Sequence, residues 1–65
     1  MAELKDIILD LIQSQPGQRV NFNELNALLS KQDNSVRKGS VRLIIQQLED
    51  EGIVRTESGM MIIKN

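Results

Sequence analysis

Between Val36 and Val54 the chain changes its period. Val41, Ile44, Ile45 and Leu48 fall at i, i+3, i+4 and i+7, and beyond Gly52 the β-branched pair Ile53–Val54 follows. The first spacing draws one apolar stripe down a helix. Gly52 predicts its end, since glycine enters the left-handed region at little cost, and a strand starts at once. Arg37, Lys38, Arg42 and Gln46 fall outside the stripe. Residues 37–42 thus hold three cations and no acid, whereas Glu49, Asp50 and Glu51 fill the last turn, where the helix dipole favours cations.

That helix must find its core within a short chain. Sixty-five residues make a single domain over 1–65. A chain of this size buries only about 60% of its extended surface, so every apolar stripe counts. The lack of Cys excludes disulfides and thiolate ligands, and the lack of His removes the commonest general base and transition-metal ligand. No two acids are paired in an apolar setting. The expectation is a protein that is not an enzyme and takes neither cofactor nor metal. The net charge of −1 is unlike the basic balance usual in nucleic-acid binders, but the charge is unevenly placed. Acids fall at Glu3, Asp6, Asp10 and 49–51, and cations concentrate at 37–42. No apolar run approaches the length of a membrane span, and Glu3 and Asp6 interrupt any signal-peptide order. A cytoplasmic protein of microbial or viral origin, with no membrane partner, is expected.

Upstream, Leu4, Ile7, Ile8, Leu11 and Ile12 predict a first helix over 3–14, with Glu3 and Asp6 suited to its N-terminus. Leu9 lies off this stripe, as a lone exposed leucine or a dimer contact. Pro16–Gly17 stops the helix. Asn21 with Glu24 three residues on has the pattern of a capping box, which starts a second helix ending near Lys31 or Gln32. Phe22, Leu25, Leu28 and Leu29 give it a core face. Phe22, the one aromatic, reads as a core anchor before a stacking platform. Asp33-Asn34-Ser35 is a polar turn. Gly39 costs the third helix ~1 kcal/mol relative to Ala, as an irregularity or as a close approach for a phosphate. Strands are expected over 53–56 and 60–63, joined by Glu57-Ser58-Gly59. Met60 and Met61 are packing filler.

The run Ser40-Val41-Arg42, Ile44-Ile45, Leu48, Glu49-Asp50-Glu51, Gly52, Ile53-Val54 resembles the recognition helix and first wing strand of winged helix-turn-helix regulators, notably the gluconate-repressor type. Val36 matches the turn valine of that family. The resemblance can be laid over residues 4–64. It implies an α+β fold with a three-helix core and a short β-hairpin wing, in the order helix-strand-helix-helix-strand-strand. Arg19–Val20 would supply an edge strand beside the wing. Two departures stand out. Leu28 to Val41 is longer than the family's tight turn, implying a longer second helix or a loop. Arg37 stands where the family has a capping Ser, leaving Asn34 or Ser35 to cap.

The resemblance implies sequence-specific binding of double-stranded DNA by a small transcription regulator, with the third helix (37–50) in the major groove. Such small regulators serve phages, plasmids and adhesin operons, and the chain equally resembles the terminal domain of a larger one. Arg37, Lys38, Ser40, Arg42 and Gln46 suit guanine, adenine and phosphate, with Arg55 and Ser58 on the wing. Arg42 is the candidate base contact and Lys38 the candidate phosphate contact. One copy has few phosphate contacts, so a homodimer, arrays or DNA bending would be needed for useful specificity. The competing expectation is a protein-interaction module without DNA binding, which would use Leu9, Leu43 and the acidic faces. Leu43, if exposed, touches a thymine methyl or mediates self-association. The shortage of aromatics counts against single-stranded RNA.

Overall fold

The computed structural model describes residues 3–33 and 35–65. The elements are α1 (Leu4–Gln13), β1 (Arg19–Asn21), α2 (Phe22–Gln32), α3 (Lys38–Asp50), β2 (Val54–Glu57) and β3 (Met61–Lys64), with a 3₁₀ turn over Pro16–Gln18. The class is α+β, in the expected order of helices and strands. The three strands form one antiparallel sheet in the order β1-β3-β2, so the strand nearest the chain's end lies in the middle. Arg19 pairs with Ile63 and Asn21 with Met61, while Val54 pairs with Lys64 and Glu57 with Met61.

The core lies where the helical stripes meet the inner face of the sheet. Ile8 and Ile12 of α1, Leu25 and Leu29 of α2, and Val41, Ile45 and Leu48 of α3 are buried with Val20, Phe22, Val54 and Ile62. Leu4, Ile7, Leu11, Ile44 and Ile53 are half-buried against them. Leu9, expected on the surface, is also half-buried against this cluster. The reason is that α1 packs on α2, β1 and β3 together, which needs an apolar arc wider than one stripe. Leu9 therefore takes part in the packing of α1.

The helix ends follow from local chemistry. Asn21 Oδ1 accepts from the Asn23 amide at 2.8 Å, one residue earlier than a capping box requires, and among the described residues no bond returns from Glu24. Asn21 also ends β1 opposite Met61, so its backbone is held by the sheet. The buried Asn26 amide nitrogen donates to Phe22 O at 2.9 Å and so has a partner inside the fold. α3 closes with Gly52 N–H to Glu49 O (3.0 Å) and Ile53 N–H to Leu48 O (2.9 Å), with Gly52 at φ 76°. This is a Schellman motif. Because Ile53 serves in that motif, β2 begins at Val54, one residue later than expected.

β3 likewise begins at Met61. Met60 stays in the connecting loop, its N–H bonded to Glu57 O at 3.2 Å. Ser58 (φ 55°) and Gly59 (φ 73°) both sit in the left-handed region, as the right-handed twist of a hairpin favours. The link from α2 to α3 is a loop over 33–37, not a tight turn. Asp33 Oδ1 accepts from Ser35 N–H (2.9 Å) and Ser35 Oγ–H (2.6 Å). Those two bonds, the hydroxyl's first and the amide's second, hold the Asp33 carboxyl below its usual range. Ser35 is thus occupied by Asp33 and does not cap α3. Asn34, the other expected cap, lies outside the described residues. No helix is long and apolar enough to cross a membrane among the described residues.

Candidate nucleic-acid interface

The outward face of α3 follows from its inward one. Val41, Ile45 and Leu48 are buried. At about 100° per residue, Leu43 lies opposite them, and it is 69% exposed. Gly39, Ser40, Gln46 and Gln47 share that face and are exposed. Arg37 and Lys38 are exposed at its N-terminal end, where Arg37 is the N-cap residue and makes no side-chain cap.

The predicted residues divide to either side of Leu43. On one side Arg37 and Ser40 line a cavity of about 280 Å³ with Leu4, Ile7, Leu29 and Val36, between α1 and the 33–37 loop. On the other, Arg42 and Gln46 line a groove of about 230 Å³ between α3 and the β2–β3 hairpin, with Phe22, Glu49, Thr56 and Gly59. The Arg42 guanidinium lies 4.7 Å from the centroid of the Phe22 ring, a cation–π stack. The ring buries its edge in the core and offers its face to the arginine. Arg42 therefore stands on the hairpin flank of α3, not on the outermost line.

The groove floor is braced. Thr56 Oγ donates to Glu49 Oε2 at 2.7 Å, tying β2 to α3. Alternation along β2 puts Val54 and Thr56 on the inner face and Arg55 and Glu57 on the other. Arg55 and Glu57 form an ion pair of 3.5 Å there, both well exposed. The structure thus does not bring Arg55 into the groove. Ser58 is exposed on the hairpin loop.

The charges of α3 run against its dipole at both ends, and the two ends differ in what meets them. Glu49 accepts from Thr56, Asp50 Oδ1 accepts from Gln46 Nε2 at 3.1 Å, and Glu51 pairs with Lys5 of α1 at 2.7 Å. Arg37 and Lys38 form no ion pair among the described residues, and Arg42 has only the Phe22 ring. The arrangement can take up an external anion at the N-terminal half of α3, with amide side chains beside it. No group of His, Cys, Asp or Glu is placed to hold a metal ion among the described residues.

Two residues of this face escape a first reading of the sequence. Gln47 was legible, because it stands one turn beyond Leu43. Phe22 was not, because nothing local says that Arg42, two elements later, lies on its ring. Comparison of the chain with protein-family models, with curated protein sequences and with solved structures returns no match.

Proposed function

We propose that the chain is a winged helix-turn-helix domain that binds double-stranded DNA sequence-specifically, as a small transcription regulator. In this reading α3 enters the major groove and the β2–β3 hairpin is the wing. One observation carries it. The acids at the C-terminal end of α3 are each met within the chain, whereas Arg37, Lys38 and Arg42 have no anionic partner among the described residues, at the helix end that a duplex would approach. The order of elements and the sequence Ser40-Val41-Arg42 to Val54 support the same reading.

Phosphates would supply the missing charge, with Lys38 on the backbone and Arg42 at a base edge. Arg42 reaches from the Phe22 ring, which holds its fork in one orientation. So few cations predict a shallow dependence of log K on log salt, on the order of −3 to −5 per monomer. Arg55, already paired with Glu57, contributes little.

The test is an amide NMR titration with mixed-sequence duplex DNA at low salt, followed by Lys38→Ala and Arg42→Ala at several salt concentrations. Shifts confined to 35–47 and 55–60 are expected. Lys38→Ala should weaken all sequences alike and flatten the salt slope by about 1, and Arg42→Ala should cost about 1–3 kcal/mol and relax one base pair. A parent chain that shifts with no duplex would pass the fold to the protein-interaction reading.

A further inference from the structure

The outermost line of α3 is not basic. It holds Leu43 at 69% exposure, with exposed Gly39 and Ser40 one turn before it and exposed Gln46 and Gln47 one turn after. Beyond its own helical turn, no described atom lies within 4 Å of where a side chain on Gly39 would begin. No acid occurs from Ser35 to Leu48, and the cations stand at the end and the flank of this line. From Gly39 to Gln47 a helix rises about 12 Å, the width of a major groove. A partner that follows the cations onto α3 therefore meets a leucine between small residues and two amides.

Those groups have a specific complement. The two amides are not equivalent, because Gln46 is oriented by one N–H bond to Asp50 at 3.1 Å, which leaves its carbonyl oxygen and its second N–H free. Gln47 keeps both donor and acceptor, the pair that matches adenine N6 and N7. Leucine matches the 5-methyl group of thymine, the one apolar feature of the major groove.

Resting on the DNA-binding reading, we propose that this line selects a step of A·T pairs, with Leu43 on a thymine methyl and Gln47 on adenine. Gln46, oriented by Asp50, stands beside them and contacts the neighbouring base pair. Leu43 and Gln47 add this selection to the base contact of Arg42, and Arg37 and Lys38 supply attraction and register.

The test begins with selection of bound sites from a randomised duplex library by the intact chain. The expected product is a site with a fixed A·T step. Thymine at that step is then replaced by uracil, which deletes only the 5-methyl group. The parent should bind the uracil duplex about fourfold more weakly, the worth of one buried methyl. Leu43→Ala should bind both duplexes alike, and Gln47→Ala should lose the preference for adenine. Both positions are exposed, so circular dichroism should show an unchanged fold. Selected sites without A·T preference, or equal binding of thymine and uracil by the parent, overturn the proposal while leaving DNA binding intact. Failure to bind any duplex removes the DNA-binding reading itself. Sedimentation of Leu43→Ser without DNA completes the set: loss of a parent dimer would assign Leu43 to a second copy and overturn the base contact.

Discussion

The two ends of α3 face the same electrostatic problem and handle it differently. Cations crowd the N-terminal end and acids the C-terminal end, each against the helix dipole. The C-terminal end is finished: a Schellman motif satisfies its carbonyls, and Thr56, Gln46 and Lys5 meet its carboxylates. The N-terminal end is unfinished, with an arginine at the cap position and no side-chain cap among the described residues. Charge placed against a dipole and then compensated within the chain is structure. Charge placed against a dipole and left without an internal partner stays open to solvent, and this difference sets the expected response to mutation at each end.

The largest effect should come from the finished end. Leu48 is fully buried beneath it, and Leu48→Ala should cost roughly 2–5 kcal/mol as a core deletion. Urea denaturation checks this. A variant as stable as the parent would detach α3 from the core and end the comparison.

The unfinished end predicts the opposite sign. Arg37→Ser supplies the missing cap and removes one cation, so it should stabilise the fold by about 1 kcal/mol while weakening duplex binding. Thermal unfolding and a binding isotherm on the same variant measure both. A stabilised variant with undiminished binding would show that the open end serves no ligand.

Smaller again is the Lys5–Glu51 pair, whose side chains are 33% and 47% exposed. Glu51→Gln should cost less than about 1 kcal/mol, and the loss should shrink further in high salt. Parallel denaturation at low and high salt separates this pair from the salt-insensitive Schellman motif beside it.

The smallest effect is one of pH, in the loop leading to the unfinished end. Ser35 holds the Asp33 carboxyl below its usual range, so the charged form is the one the folded loop prefers. Its stabilisation is present above the unfolded-state pKa and is lost as pH falls through the lower folded value. NMR titration of Asp33 and of the Ser35 amide should show a joint transition below the ordinary aspartate range. Ser35→Ala should move it upward.

What could be read from the sequence was what repeats at short range. The stripes of α1, α2 and α3 give the side of each helix that faces the core, although Leu4, Ile7, Leu11, Leu28 and Ile44, at the edges of those stripes, are only half-buried. The stop at Gly52 was legible for a similar reason, whereas the strand at Val20 followed only from the resemblance to winged helix-turn-helix regulators, Arg19–Val20 being too short to read as a strand alone. The one-residue shift of β2 was not, because Ile53 is equally apt as a strand residue and as the end of a Schellman motif. The half-burial of Leu9 was hidden, since it depends on elements that α1 meets only after folding. The site divides in the same way. Exposure of Leu43 follows from the wheel, whereas the Arg42–Phe22 stack, the Thr56–Glu49 brace and the Arg55–Glu57 pair depend on how α2, α3 and the hairpin are set against one another.

The central place of β3 has a kinetic side. β2 and β3 are neighbours in the chain and can pair as a local hairpin, but β1 joins β3 only across both α2 and α3. Closing that long loop sacrifices chain entropy before the contacts return it, which makes docking of β1 the slow step of folding. Until it happens, one side of Met61-Ile62-Ile63-Lys64 is an open edge with apolar side chains, the kind of template on which other chains add strands. Substitutions that loosen β1, such as Val20→Gly, would then reveal themselves as slower refolding and loss of protein to aggregates, even where the folded domain survives.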